Sequence, residues 1–207
     1  VLLSGSGILF PALEYAPLAD ALAEHHSVLI PSKFGYGRSS LTQAGRDVDT
    51  VVEEYRSALA ALGQAGPLVL AAHSVSFLEA LRWAQKYPEE IAALVGVDPA
   101  TPDAYPGTDL SASAKQLEGL NRPEWKRRLL FSFFARGLLA RYPAPLRRSL
   151  RPAAKQNFAS CVWVNEARAL PDNIQLVTQE GAPAEIPVLL LLSNGRDTIW
   201  PGDEWQR

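Results

Sequence analysis

The chain contains no methionine, a single cysteine and only three histidines among its 207 residues. One cysteine cannot form an internal disulfide, so a disulfide framework is excluded, and we expect Cys161 to be a small buried residue rather than a nucleophile. No apolar run reaches the ~20 residues that cross a bilayer, and no signal peptide is recognisable. The chain opens without methionine in the apolar run at Val1 and stops at Arg207 a few residues into a new helical pattern. We therefore expect an internal fragment of a longer, cytoplasmic protein.

Charge is nearly balanced, with 20 Lys and Arg against 22 Asp and Glu, so the whole chain gives no indication of a nucleic-acid partner. The balance hides an asymmetry. Residues 101–170 carry 12 basic against 5 acidic side chains, a net charge of +7, and the rest of the chain carries 8 against 17.

The most informative stretch runs from Pro67 to Ala84. Its first six residues form an uncharged apolar run typical of a buried strand, and from Phe77 onward apolar residues recur at helical spacing. Between them lies a turn of small residues with Ser74 at its tip. A strand that turns sharply into a helix presents such a hydroxyl beside the first amides of the helix, where an anion is stabilised.

Strand and helix patterns alternate through much of the chain, which favours an α/β fold with a mostly parallel, doubly wound sheet. The other predicted strands are Val1 to Ser4, Ser27 to Pro31, Ile91 to Val97 and Ile186 to Leu192. Helices are predicted from Tyr15 to Glu24 and from Asp47 to Leu62, the second with Asp47 as N-cap and an inward face that includes Leu62.

The alternation stops after residue 99 and resumes at residue 186. We therefore divide the chain into a sheet core, residues 1–99 and 186–207, and an inserted helical cap, residues 100–185. The cap is predicted to contain helices near Ser111 to Leu120, Pro123 to Tyr142 and Ala153 to Ala169.

Four features in order resemble the α/β-hydrolase superfamily. The turn at Ser74 is similar to the nucleophile elbow G-x-S-x-G, with Ala72 and Ser76 in place of the two glycines. The other three resemblances are Ser4-Gly5-Ser6-Gly7 after the first strand, Gly35-Tyr36-Gly37-Arg38-Ser39 after the next, and Asp197 with Pro201 behind it. The resemblance covers the core but not the cap.

The resemblance implies that Ser74 is the nucleophile and that the backbone amides of Val75 and Ser6 form the oxyanion hole. It implies Asp197 as the acid of the triad, with Asp98 as second choice. The plain structural alternatives are a polar turn residue for Ser74 and a turn or capping residue for each aspartate.

The base of the triad is not evident, because the family places it on a loop after the acid. His25 and His26 fall at the far edge of the sheet, and His73 adjoins Ser74 but should point elsewhere. We expect the catalytic histidine to lie beyond Arg207, so these 207 residues alone should be nearly inactive.

The predicted function is that of a serine hydrolase that cleaves a carboxylic ester or a small amide through an acyl-enzyme, without metal or organic cofactor. A dehalogenase, another enzyme class on the same fold, would prefer a carboxylate at the nucleophile position, so Ser74 argues against that class. The alternative is a non-catalytic member of the fold that binds a small apolar ligand under the cap. The cap arginines could be solvated, attract an anionic substrate, or contact an anionic membrane surface, with the solvated face as the default.

Overall fold

The structure is a computed structural model that describes residues 1–102, 115, 123–183 and 185–193. Its sheet has four parallel strands in the order β1–β2–β3–β4. These strands are β1 (Leu2–Leu3), β2 (Leu68–His73), β3 (Ile91–Val97) and β4 (Val188–Leu191). Helices separate the strands along the chain, and the predicted α/β class with a parallel sheet is confirmed.

Helix α4 (Ser76–Lys86) packs against the sheet, α3 (Val48–Ala61) packs against α4, and both contribute side chains to the core. Asp47 caps α3 as predicted, since its carboxylate accepts the N–H of Thr50 at 2.8 Å. The remaining helices are α1 (Pro11–Glu14), α2 (Ala16–Ala23), α5 (Glu124–Ala140), α6 (Ala144–Asn157), α7 (Cys161–Glu180) and a single 3₁₀ turn at Pro88–Glu90. The helices predicted from Tyr15 to Glu24 and from Pro123 to Tyr142 correspond to α2 and α5, and their bounds are confirmed within two or three residues.

The strand predicted from Ser27 to Pro31 is wrong. This segment is extended but makes only one ladder-like bond, from the Leu2 N–H to the Leu29 carbonyl at 2.8 Å. Its neighbour β1 is two residues long, so there is little strand to pair with. Leu62, predicted to face inward, is 65% exposed because α3 ends at Ala61.

The helix predicted from Ala153 to Ala169 is two helices. The chain breaks between α6 and α7, where Ala159 adopts a left-handed conformation with φ of 49°. Cys161, the first residue of α7, is partly exposed rather than buried. The helix predicted near Ser111 to Leu120 lies, apart from Lys115, outside the described residues.

Helices α6 and α7, which lie in the predicted cap, are attached to the rest of the chain through buried amide side chains. Asn173 of α7 accepts the Val48 N–H at 2.9 Å and donates to the Arg46 carbonyl at 3.2 Å. Asn157 of α6 donates to the Gly37 carbonyl at 3.0 Å. Each bond satisfies a backbone group that would otherwise be buried without a partner, so the docking of the cap is specific.

The apolar side chains of β4 are about half exposed, as is Val69 of β2. Among the described residues, no helix is both long and apolar enough to cross a membrane. The division into core and cap at residues 99 and 186 stays a prediction.

Candidate active site

Ser74 occupies a sharp corner between β2 and α4 and is partly exposed. Its φ of 54° is left-handed, a conformation that costs a residue with a side chain about 1–2 kcal/mol. Backbone hydrogen bonds hold it there: its N–H donates to the Val97 carbonyl at 3.1 Å, and its carbonyl accepts the N–H groups of Phe77 and Ala100, both at 3.0 Å. The turn predicted from small residues is therefore a strained elbow fixed to the end of β3.

The loop after β1 lies directly against this elbow. A Cβ atom placed on Gly5 would lie 2.8 Å from the Nδ1 of His73 and 3.0 Å from the Cβ of Ser74. Both separations are below normal contact, so a side chain at position 5 would push the loop away from Ser74. The absence of a side chain at position 5 thus lets this loop lie against Ser74.

The two residues that replace glycines of the elbow pattern are accommodated differently. Ala72 is completely buried in the core, where its single methyl group fits. Ser76 is also buried, and its hydroxyl donates to the carbonyl of Ser4 at 2.5 Å. This hydroxyl therefore ties the first turn of α4 to the end of β1, a contact that glycine could not make.

The proposed oxyanion donors are the N–H groups of Val75 and Ser6. Among the described residues, neither N–H has a hydrogen-bond acceptor. The hydroxyl of Ser6 holds this loop in place. It donates to Glu166 at 3.1 Å and lies 3.2 Å from the hydroxyl of Tyr36. Tyr36 also accepts the N–H of Gly7 at 3.3 Å. Both amides are thus available to an anion.

A buried ion cluster lies behind the elbow and was not foreseen from the sequence. The ammonium of Lys33, whose side chain is 1% exposed, is 2.9 Å from Glu79 of α4 and 3.3 Å from Glu166 of α7. It also donates to the hydroxyl of Ser76 at 3.5 Å, and Tyr55 donates to Glu79 at 3.1 Å. Burial opposes the charge on Lys33, but Glu166 and Glu79 more than compensate, and its pKa stands well above the ordinary value.

The cluster joins three parts of the molecule. Glu166 accepts a short hydrogen bond from Tyr36 in addition to the bond from Ser6, and burial raises the pKa of Tyr36, with a further rise from Glu166. Through these bonds the cap helix α7 contacts the loop that carries Ser6. The only sequence signal for this arrangement is Glu79, a lone acid inside the otherwise apolar run that follows Ser76.

The Nδ1 of His73 has no hydrogen-bond partner among the described residues, so this nitrogen is not bonded to Ser74. The ring of His73 lies against Gly5, and its centroid is 6.3 Å from that of Tyr15. Burial lowers the pKa of His73, partly opposed by Asp98 and Glu14, which favours the neutral ring. His25 and His26 follow α2, and His26 lines a groove of about 570 Å³ over the sheet that does not include Ser74.

Asp98 follows β3 in a left-handed conformation with φ of 45°. Its carboxylate accepts the N–H of Ser193 at 2.5 Å, and its own N–H donates to the Leu191 carbonyl at 2.8 Å. These bonds connect the ends of β3 and β4. Asp197 lies outside the described residues.

A cavity of about 850 Å³ lies between α3 and the segment 31–39. Lys33, Asp49 and Tyr55 are among its lining residues, and Ser74, Ser6 and His73 are not. It is therefore not the substrate site of Ser74. Among the described residues, no three His, Cys, Asp or Glu side chains are grouped closely enough to hold a metal ion.

The comparisons with known proteins agree with this geometry. The sequence model of the alpha/beta hydrolase family matches residues 1–207, the whole chain. The chain belongs to the alpha/beta hydrolase family. This membership confirms the resemblance drawn from the elbow and its flanking loops.

One curated relative, the uncharacterized protein YbdG of Bacillus subtilis (strain 168), is 41% identical over 105 residues. That match covers 51% of this chain and 32% of YbdG, so it spans about a third of the relative's length.

Two solved structures show the same alpha/beta hydrolase fold. Cfl2 from Burkholderia cenocepacia has a TM-score of 0.68 at 19% identity, covering 91% of this chain and 69% of its own. An alpha/beta hydrolase fold protein from Burkholderia ambifaria has a TM-score of 0.64 at 16% identity, with 91% and 70% covered. At these identities the likeness concerns the fold.

We predict that Gly5→Ala destabilises this alpha/beta hydrolase chain by about 1–3 kcal/mol, because the new methyl group would overlap His73 and Ser74. Urea denaturation followed by circular dichroism measures the change. The matched control is Gly137→Ala in α5, where nothing lies within 4 Å of the new carbon, and a gain of up to about 1 kcal/mol is expected. Equal effects of the two substitutions would show that the loop does not press on the elbow.

We predict that Lys33→Met lowers the free energy of unfolding by about 3–5 kcal/mol at pH 7, because Glu79 and Glu166 lose their buried cation. The loss should persist up to the ordinary pKa of a lysine and shrink only as the pH rises beyond it, because folding raises the pKa of Lys33. Lys86→Met removes a partly exposed lysine that pairs with Asp49 and Glu53, and should cost no more than about 1 kcal/mol. A similar loss in both variants at every pH would contradict the role given to the cluster.

Proposed function

We propose that the protein is a serine hydrolase that cleaves a carboxylic ester or a small amide through an acyl-enzyme. One observation carries the proposal: Ser74 is held in a left-handed elbow between β2 and α4, with the Gly5 loop packed against it. A left-handed backbone is unfavourable for serine, and residues strained in this way cluster at functional sites. Membership in the alpha/beta hydrolase family supports the same conclusion.

In the proposed reaction, the hydroxyl oxygen of Ser74 attacks the carbonyl carbon of the substrate as its proton passes to a base. The carbonyl oxygen becomes an oxyanion, which accepts hydrogen bonds from the N–H groups of Val75 and Ser6. Losing one such donor typically costs about 100- to 1000-fold in rate. The leaving group departs with the proton, and water then releases the acid and restores the serine.

We propose that the base comes from a histidine outside these 207 residues. His73 is half-buried against Gly5 and Tyr15 with its Nδ1 unbonded among the described residues, and His25 and His26 lie beyond α2, so we assign the role to none of the three. For the acid we retain Asp197. Asp98 is the weaker candidate because one oxygen of its carboxylate already accepts the N–H of Ser193.

The substrate class is proposed from the cap. The apolar residues of α5 that face inward, Phe131 and Leu139, belong to a buried cluster with Leu9 and Phe10, which follow the Ser6 loop. An apolar acyl group or aromatic leaving group suits this neighbourhood. The proposal needs no metal and no organic cofactor, and oxyanion stabilisation comes from the two backbone amides.

The first test is labelling with a fluorophosphonate probe in the natural protein that contains these residues. The wild type and the exposed-serine control Ser57→Ala should be labelled equally, and Ser74→Ala should not be labelled at all, because the probe reacts only with an activated nucleophile. Labelling that persists in Ser74→Ala would contradict the assignment. Absence of labelling in all three would favour a ligand-binding protein without catalysis.

The second test is ester turnover by the 207-residue chain itself. Without the base, we expect a rate about a million-fold below that of a complete triad, and close to that of its Ser74→Ala variant. Hydrolysis of p-nitrophenyl acetate, followed spectrophotometrically, measures it. Ordinary enzymatic turnover that is lost in Ser74→Ala would place the base within these residues and overturn that part of the proposal.

A further inference from the structure

Helix α5 carries a row of large apolar side chains on its outer surface. Trp125, Leu129 and Phe133 are spaced four residues apart, so they line one side of the helix, which we call the aromatic face. Their exposed fractions are 64%, 56% and 75%. Scattered apolar side chains are common on protein surfaces, but three aligned ones form a patch that packing among the described residues does not explain.

A different side of α5 packs against α6. Phe131, Ala135 and Leu139 are buried in a cluster with Leu150 and Ala154 of α6. The helix is therefore apolar on two sides, and only one of them is used within the described structure. The aromatic face needs a partner of its own.

The surroundings of the aromatic face are strongly basic. Residues 124–157, which form α5 and α6, contain nine Lys and Arg and a single acid, Glu124. The basic residues are Lys126, Arg127, Arg128, Arg136, Arg141, Arg147, Arg148, Arg151 and Lys155.

Few carboxylates of the described residues neutralise this charge. Arg141 lies 3.6 Å from Glu14 of α1. Arg127 and Arg147 donate to backbone carbonyls, and Lys126 lies over the ring of Trp125, contacts that leave the positive charge in place. The hairpin of α5 and α6 therefore presents apolar side chains within a positive field.

We propose that the α5–α6 hairpin binds the surface of an anionic phospholipid bilayer. Tryptophan, phenylalanine and leucine on one side of a helix with basic residues around them are the composition of helices that lie in the membrane interface. The aromatic face enters the boundary between headgroups and acyl chains, and the flanking cations contact lipid phosphates. An anionic bilayer complements both the exposed apolar side chains and the positive charge around them, whereas an acidic macromolecule complements only the charge.

This surface is independent of the chemistry at Ser74. Membrane binding should be the same in Ser74→Ala as in the wild type, so failure of the proposed hydrolase function would leave this inference standing, and the reverse also holds.

The test is co-sedimentation of the 207-residue chain with vesicles of phosphatidylcholine alone or with 30% phosphatidylglycerol added. We expect binding to the anionic vesicles at least tenfold stronger than to the neutral ones, falling as salt rises. The double variant Trp125→Ser/Phe133→Ser removes two exposed side chains without touching the core and should weaken binding about tenfold or more. Arg136→Gln/Arg148→Gln should weaken binding to anionic vesicles to a similar degree.

The matched control is Leu62→Ser, which removes an equally exposed leucine from the end of α3 and should leave binding unchanged. Equal binding to neutral and anionic vesicles would overturn the proposal, as would unchanged binding in the Trp125→Ser/Phe133→Ser variant. Retention on heparin or DNA that is equally strong in that variant, without vesicle binding, would identify a polyanion site instead.

Discussion

The site depends on the close approach of two backbone segments, the elbow at Ser74 and the loop at Gly5. The left-handed backbone of Ser74 is unfavourable by itself and persists because its N–H and carbonyl are bonded to β3, α4 and the segment after β3. The loop can lie against it only because position 5 has no side chain. The two amides that we propose as oxyanion donors, on Val75 and Ser6, belong to the two segments that meet at this contact.

The buried cluster around Lys33 extends the same constraint to the cap. One ammonium group holds Glu79 of the elbow helix and Glu166 of the cap helix, and Glu166 in turn holds Ser6. A buried ion pair contributes little net stability, but losing one partner is costly. The cluster therefore favours one arrangement of cap, elbow and loop over others. Gly35 acts similarly, since a Cβ there would lie 2.8 Å from Val162 of α7.

The sequence is informative where the determinants are local. The elbow at Ser74 and the helix N-cap at Asp47 are each determined by residues adjacent in the sequence, and both were predicted. The break at Ala159 was missed because alanine normally continues a helix, and tertiary packing imposes its left-handed conformation. The pairing of Lys33 with Glu166 joins residues 133 positions apart, and no local pattern announces it.

We propose that Ser74 is a nucleophile that faces the amides of Val75 and Ser6. The most direct measurement is a crystal structure of the natural protein after reaction with a fluorophosphonate. We expect phosphorus bonded to the Ser74 Oγ, with one phosphonyl oxygen about 2.7–3.1 Å from both amide nitrogens. A phosphonyl group on another residue, or an oxygen turned away from those two amides, would contradict it.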